Sequence, residues 1–165
     1  MDMTRFSPPR RLTATDDISG FDCGLPLVND WLAHHLHTAD RQGTAVAYAT
    51  FANDDTLAGF YTLSAYSMER TEASGWLKRN SPNPIPVILL GMLGVDMRFQ
   101  TKHVGSQLLR DATLRALNAA GIIGARALVV QPATDSAAQF YEHYGFRHID
   151  SSAMMFAPLN AIERR

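Results

Sequence analysis

Pro86-Val87-Ile88-Leu89-Leu90-Gly91-Met92-Leu93-Gly94-Val95-Asp96 runs into Met97-Arg98-Phe99-Gln100-Thr101-Lys102-His103-Val104-Gly105-Ser106, and then into Gln107 to Ala119. The first part is an apolar run of strand length opened by prolines, which suits a strand buried on both faces. The last part repeats apolar residues at helical spacing: Val104, Leu108, Leu109, Ala112, Ala116 and Leu117. Between them lies a short turn holding Gln100, Thr101, Lys102, His103 and Gly105. A strand, a tight polar turn and a helix together make an anion site. The helix N-terminus offers unpaired N–H groups and the positive end of a dipole. Arg98 and Lys102 add charge where a phosphate would sit.

The turn resembles motif A of the GCN5-related N-acetyltransferases (GNAT), whose pattern is Q/R-x-x-G-x-G/A. Gln100 and Gly105 match its first and last positions, while His103 stands where the first glycine is expected. A second stretch, Phe140-Tyr141-Glu142-His143-Tyr144-Gly145-Phe146, resembles the F-Y-x-x-x-G-F segment of the same family. A helix and an apolar strand, Ala125 to Val130, separate the two, as the family requires. Further stretches resemble one branch, the acetyltransferase toxins of bacterial toxin–antitoxin pairs. These are Phe21-Asp22-Cys23-Gly24, Asn29-Asp30-Trp31-Leu32, Ala58-Gly59-Phe60-Tyr61-Thr62-Leu63-Ser64-Ala65 and Gly124-Ala125-Arg126-Ala127-Leu128-Val129-Val130. The branch resemblance covers most of residues 10 to 158.

Composition agrees with a folded domain. A chain of 165 residues fits one domain, with 46% hydrophobic and 19% charged residues. The net charge of −1 favours no polyanion globally, so a nucleic acid would have to meet a local basic patch. The longest apolar run, Pro86 to Val95, is too short to span a bilayer. Met1 to Arg10 has no apolar signal-peptide core. A single cysteine, Cys23, excludes an internal disulfide, fits a reducing compartment and reads as a small buried residue. These features point to the cytoplasm.

Along the chain, Arg10 to Thr15 reads as a short strand and Asp16 to Gly24 as turns. Pro26 to Ala39 reads as a helix carrying His34, His35 and His37, with no metal-ligand spacing. Thr44 to Phe51 and Leu57 to Tyr66 read as a hairpin around Asn53-Asp54-Asp55. Ser67 to Pro86 reads as a long loop with a helical turn at Ser74 to Arg79. Asp135 to Tyr144 reads as a helix with Phe140 and Tyr144 packed in the core. Two last strands, Phe146 to Ile149 and Ala153 to Leu159, are joined at Asp150-Ser151-Ser152, and Glu163-Arg164-Arg165 reads as frayed.

The resemblance implies an α/β fold: one GNAT domain spanning 1–165 with a core of about 10–159. Its mixed sheet of six or seven strands splays at the centre, with helices on both faces. It implies acetyl-CoA as co-substrate. Backbone groups of Leu93 and Val95 would pair with the pantetheine arm. Arg98, Gln100, Thr101, Lys102, His103, Val104, Gly105 and Ser106 would surround the pyrophosphate, and Ser136 would join the cofactor-binding set. Tyr141 would be the general acid beside the sulfur. A phenol of pKa about 10 is protonated at neutral pH and can donate to a thiolate. Three readings of His103 stay open: a neutral replacement, a weakened cofactor site, or a direct imidazole contact to phosphate. No general base stands out among Glu69, Asp96, Glu142 and His143. That favours an acceptor α-amine, already partly neutral near pH 7.5, over a lysine amine.

For the toxin branch the resemblance implies acetylation of the amino acid on charged tRNA, a ribbon-helix-helix antitoxin as partner, and often a homodimer. Arg10, Arg11, Arg70, Lys78 and Arg79 are the basic residues expected to meet tRNA. Two other readings stand beside this one. One is a related acetyltransferase of a small amine or protein N-terminus without an antitoxin. The other is an inactive acyl-CoA-binding module.

Overall fold

The computed structural model describes residues 3–150 and 152–160. Seven strands form one mixed sheet in the order β1-β2-β3-β4-β5-β7-β6. They are β1 (Arg10–Arg11), β2 (Val46–Phe51), β3 (Leu57–Met68), β4 (Ile85–Val95), β5 (Ala127–Val130), β6 (Arg147–His148) and β7 (Met155–Pro158). The helices are α1 (Pro26–His34), α2 (Leu36–Gln42), α3 (Gly75–Lys78), α4 (Val104–Ile123) and α5 (Asp135–His143). The chain divides into two compact units. One holds the residues up to Ser64 with Met92–Ala112, the other Ala65–Gly91 with the residues from Thr113 on.

In the first unit, β2 and β3 form an antiparallel hairpin from Val46↔Leu63 to Phe51↔Leu57. Its turn closes through the Ala52 N–H donating to the Thr56 carbonyl at 2.8 Å. Asp55 takes a left-handed φ of 64° there, which an aspartate tolerates better than most residues. Residues 57–62 of β3 are all buried, because helices cover both faces. Phe60 stacks on Trp31 of α1 at 6.0 Å, whereas the hydroxyl of neighbouring Tyr61 donates to Asp111 of α4 at 2.6 Å. Successive side chains of a strand alternate sides, so α1 and α4 lie on opposite faces. Gly59 sets how near α4 comes. A Cβ there would stand 2.8 Å from Leu108 Cδ1 and 3.0 Å from the Gly94 carbonyl. Cys23, Val28, Leu32, Leu36, Ala47, Ala49 and Phe60 form part of this unit's core, with Cys23 buried as its size suggests.

In the second unit, β4 runs parallel to β5 over Ile88–Leu90, and β7 lies antiparallel to β5. Met68, Leu77, Ile85, Val87, Ala127, Val129 and Phe156 make its core. The long loop is held rather than free. Arg126 stacks on Trp76 at 4.0 Å and donates to the carbonyls of Trp76 and Arg79 at 2.9 and 3.1 Å.

Several sequence expectations change in detail. The helix expected over Pro26–Ala39 breaks at His35, whose backbone (φ −121°, ψ −13°) ends α1 and starts α2. The strand expected over Arg10–Thr15 is only Arg10–Arg11, because Asp16 draws the chain into a turn by accepting from the Thr13 N–H at 2.8 Å. Tyr144 is 48% exposed, so it is not core. Ser151 and Glu163-Arg164-Arg165 lie outside the described residues.

Candidate active site

Strand β4 leaves its pairing with β5 at Leu90 but continues to Val95, so Leu93 and Val95 lie past the last paired residue, half-buried. Asp96 ends the strand. Its carboxylate caps the short 3₁₀ turn Met97–Phe99 by accepting from the Arg98 N–H at 3.0 Å. It also accepts from the Asp22 N–H at 3.2 Å and from Arg98 Nε and Nη2 at 2.8 and 3.1 Å. Burial would push this carboxyl up, but the Arg98 and Asp22 hydrogen bonds outweigh it and hold the pKa below the ordinary aspartate value.

This geometry bears on two expectations. Arg98 makes a bidentate pair with Asp96 through Nε and Nη2, while its side chain stays 55% exposed. Asp96 is not a ready base, since it is 2% exposed and already accepts from Arg98 and Asp22.

Gln100 is engaged in a similar way. Its amide donates to the carbonyls of Cys23 and Val95, each at 3.0 Å. The side chain therefore ties the turn to the loop before α1 and to the end of β4.

Beyond Gln100 the chain turns at His103, whose φ is 64°. The position that glycine fills in the family pattern thus keeps a left-handed backbone with histidine in place. The 20-residue helix α4 begins at the next residue. The Gln107 N–H donates to the His103 carbonyl at 3.2 Å, closing the first helical turn. The N–H groups of His103, Val104, Gly105 and Ser106 reach no acceptor among the described residues. Ser106 turns its hydroxyl inward, donating to the His103 carbonyl at 3.0 Å. Thr101 is exposed and Lys102 half-buried beside it. A fan of unpaired N–H donors at the start of a long helix suits the diphosphate of a coenzyme.

Tyr141 belongs to the second unit, on α5. Thr134 caps this helix by accepting from the Ala137 N–H at 3.0 Å. Gly145, at a φ of 93°, ends it in the left-handed conformation that favours glycine. The chain then doubles back, the Phe146 N–H donates to the Tyr141 carbonyl at 3.1 Å, and the Phe146 ring meets Tyr141 at 5.3 Å. The G-F of the segment thus serves to pack the tyrosine. Tyr141 is 7% exposed, and its hydroxyl makes no hydrogen bond to a described residue. Burial pushes the phenol pKa up, so it holds its proton well past neutrality. Ser136 is the second residue of α5 and exposed.

The remaining base candidates are engaged or surface-bound. Glu142 meets His148 Nε2 at 3.1 Å, His143 sets its ring edge-on to Tyr144 at 4.8 Å, and Glu69 is exposed. His34 and His35 approach the exposed Asp30 at 3.8 and 3.5 Å. Among the described residues no group of His, Cys, Asp and Glu could hold a metal. His35, Leu27, Asp30, Trp31 and Met92 line a cavity of about 400 Å³ on the α1 side of β4.

The five basic residues expected at tRNA are not equivalent. Arg10 makes a bidentate pair with Asp16 at 2.9 and 3.1 Å, and Arg11 pairs with Asp40 at 2.8 Å. Both therefore carry an ion-pair partner, and both sit in the first unit. Arg70, in the second unit, donates to the Ser81 carbonyl at 3.1 Å. Lys78 and Arg79 are exposed with no ion pair among the described residues.

The acetyltransferase (GNAT) domain family matches residues 33–148, and the chain belongs to that family. A tRNA-acetylating toxin of Mycobacterium tuberculosis (strain ATCC 25618 / H37Rv) is 40% identical over 144 residues, 87% of this chain and 86% of the relative. AtaT complexed with acetyl-methionyl-tRNAfMet superposes with a TM-score of 0.85 at 27% identity, over 97% of this chain and 98% of that one. A tyrosine-to-phenylalanine variant of AtaT, bound to the C-terminus of the antitoxin AtaR and to acetyl-CoA, gives 0.77 at 27% identity, over 99% and 98%.

Proposed function

We propose that this chain, acting as one GNAT domain, transfers the acetyl group of acetyl-CoA to the α-amine of the amino acid on charged tRNA, and so blocks translation. The observation that carries the reading is the 40% identity, over 87% of the chain, to a tRNA-acetylating toxin.

Acetyl-CoA supplies the activated acyl group when bound. The N–H groups of His103, Val104, Gly105 and Ser106 hold its diphosphate. Backbone groups of Leu93 and Val95 hold the pantetheine arm where β4 has left β5, and an N–H at Leu93 or Gly94 polarises the thioester carbonyl. The new amide C–N bond forms as the C–S bond breaks. Tyr141 gives its proton to the departing thiolate, which suits a phenol kept protonated by burial. The amine sheds its own proton to water, and the Tyr141 phenolate regains one from water, which closes the cycle. No carboxylate or imidazole needs to take it, because an α-amine beside an ester is already partly neutral at physiological pH. The pairing of Asp96 with Arg98 fits that baseless chemistry.

The AtaT neighbour bound to AtaR supports an antitoxin as partner. We assign it to the ribbon-helix-helix class, with a toxin homodimer working in the cytoplasm. Among the described residues no helix is long and apolar enough to cross a membrane.

The test is incubation with labelled acetyl-CoA and total charged tRNA. Label should enter an alkali-labile aminoacyl fraction that vanishes when the tRNA is deacylated first. Label on small amines or protein N-termini alone would overturn the reading.

A further inference from the structure

Residues 69–84, in the second unit, join β3 to β4 and carry Lys78 and Arg79 on and just after the four-residue helix α3. A helix this short leaves most of its end groups without partners and has little stability of its own. Ser74, at its N-cap, gives the helix no side-chain bond; its hydroxyl accepts from the Asp150 N–H at 3.3 Å instead. The carbonyls of Trp76 and Arg79 are served from elsewhere in the chain, both by Nη2 of Arg126, at 2.9 and 3.1 Å. Arg126 makes no ion pair among the described residues, so its charge is turned on these carbonyls, as suits a cation at a helix C-terminus. Its guanidinium also lies over the Trp76 ring at 4.0 Å, and that ring stacks on Phe156 of β7 at 6.0 Å. The base of the side chain is fixed as well. The Arg126 N–H donates to the Pro86 carbonyl at 2.8 Å, and its carbonyl accepts from the Leu159 N–H at 3.1 Å.

We infer that Arg126 is a positioning residue for charged tRNA: it fixes the α3 turn so that Lys78 and Arg79 meet the phosphates as a preset pair of cations. This role rests on the tRNA reading above. Lys78 and Arg79 are both exposed, and the bond to the Arg79 carbonyl sets where the two side chains leave the surface. Cations on a loose loop would lose backbone freedom when they bind, and a turn already held spares that loss. Arginine fits the task better than lysine. Its planar group lies on the indole while one nitrogen serves two carbonyls, whereas an ammonium has no face to stack.

The test is filter binding of total charged tRNA to the whole chain at several salt concentrations, beside the rate of acetylating a small aminoacyl ester. Arg126→Met keeps the packing on Trp76 and deletes the donors. It should weaken tRNA binding about tenfold, the scale of one charge-assisted hydrogen bond. The salt slope should stay the same, because the two cations still reach their phosphates. The rate on the small ester should hold, and trypsin should cut faster after Lys78 and Arg79. Arg126→Lys should recover part of the affinity, and it carries the comparison if Arg126→Met does not fold. With Lys78→Ala and Arg79→Ala already in place, Arg126→Met should add nothing. A slope lowered by about one would make Arg126 a phosphate ligand itself and overturn the positioning role. A further loss in the Lys78→Ala, Arg79→Ala background would overturn it too, as would equal slowing on both substrates, which marks a residue that supports the fold. Unchanged tRNA binding or unchanged trypsin cutting in Arg126→Met would overturn the inference and leave the tRNA reading intact. Failure of the wild type to bind charged tRNA would bring down both.

Discussion

Tyr141 joins two properties that a purely structural tyrosine seldom combines: a buried ring and a hydroxyl with no hydrogen-bond partner among the described residues. Packing explains the ring, and the proposed proton donation would explain the hydroxyl. Tyr141→Phe should cut turnover by about 10²-fold, the usual scale for a lost general acid. Acetyl-CoA affinity and melting temperature should hold, since the deleted oxygen has no described partner to lose. Near-normal turnover would remove Tyr141 from the chemistry. The pH profile adds a separate check. Burial raises the phenol pKa, so the protonated, active form persists through and beyond the ordinary value of about 10. The rate should therefore rise once, near the α-amine pKa of about 8 or below, with no falling limb before pH 10. A rise delayed to about 10 would indicate a lysine-type acceptor. His103 poses the opposite question, since its left-handed φ of 64° costs a histidine what it would not cost glycine. His103→Gly should leave coenzyme affinity unchanged or improved by titration. A tenfold loss, about 1.4 kcal/mol, would show that the imidazole itself binds.

At the scale of elements, the turn before α4 is shaped by side-chain hydrogen bonds within the protein. Gln100 bonds to the carbonyls of Cys23 and Val95, so the turn is braced against both the loop before α1 and the end of β4. Each such bond is worth about 1 kcal/mol net. Gln100→Ala should raise KM for acetyl-CoA about tenfold while kcat changes little, because the diphosphate is held equally in ground and transition states. A fall in kcat at unchanged KM would argue against a bracing role. The distance between α4 and β3 depends on Gly59, where an added Cβ would press on Leu108 and the Gly94 carbonyl. Gly59→Ala should cost about 1–3 kcal/mol in denaturant unfolding, the usual range for overpacking. An unchanged midpoint would mean that α4 can shift without penalty. Much of this was readable beforehand. The period of Val104, Leu108, Leu109, Ala112, Ala116 and Leu117 marks one face of α4, and all of them are buried except the half-buried Leu117. The brace was not readable, because nothing local links Gln100 to Cys23, 77 residues away.

Across the whole molecule, a net charge of −1 leaves tRNA to find whichever cations are not already paired. Arg10, Arg11 and Arg98 are held by Asp16, Asp40 and Asp96, while Lys78 and Arg79 are exposed beside the Arg126-tethered loop. Lys78→Ala combined with Arg79→Ala should therefore weaken charged-tRNA binding and lower the salt slope by about 1–2, one counterion per lost phosphate contact. Acetylation of a small aminoacyl ester should be untouched. Equal slowing on both substrates would assign the pair to folding or coenzyme binding.

The sequence by itself determined the order of strands and helices around β4, the phosphate turn, the tyrosine segment and the family to which they belong. These signals are local. A period of two or 3.6, a proline, or a glycine after a helix acts through the nearest few residues, so it survives in the linear text. Only the tertiary structure decided which polar groups remain for a ligand. It paired Arg10, Arg11 and Arg98 with carboxylates, tied the Gln100 amide to two carbonyls, and brought Arg5 and Gln107 to the border of one cavity. The reason is that a charged or amide side chain spends its hydrogen bonds on the partner that folding brings near, and that partner can stand anywhere along the chain.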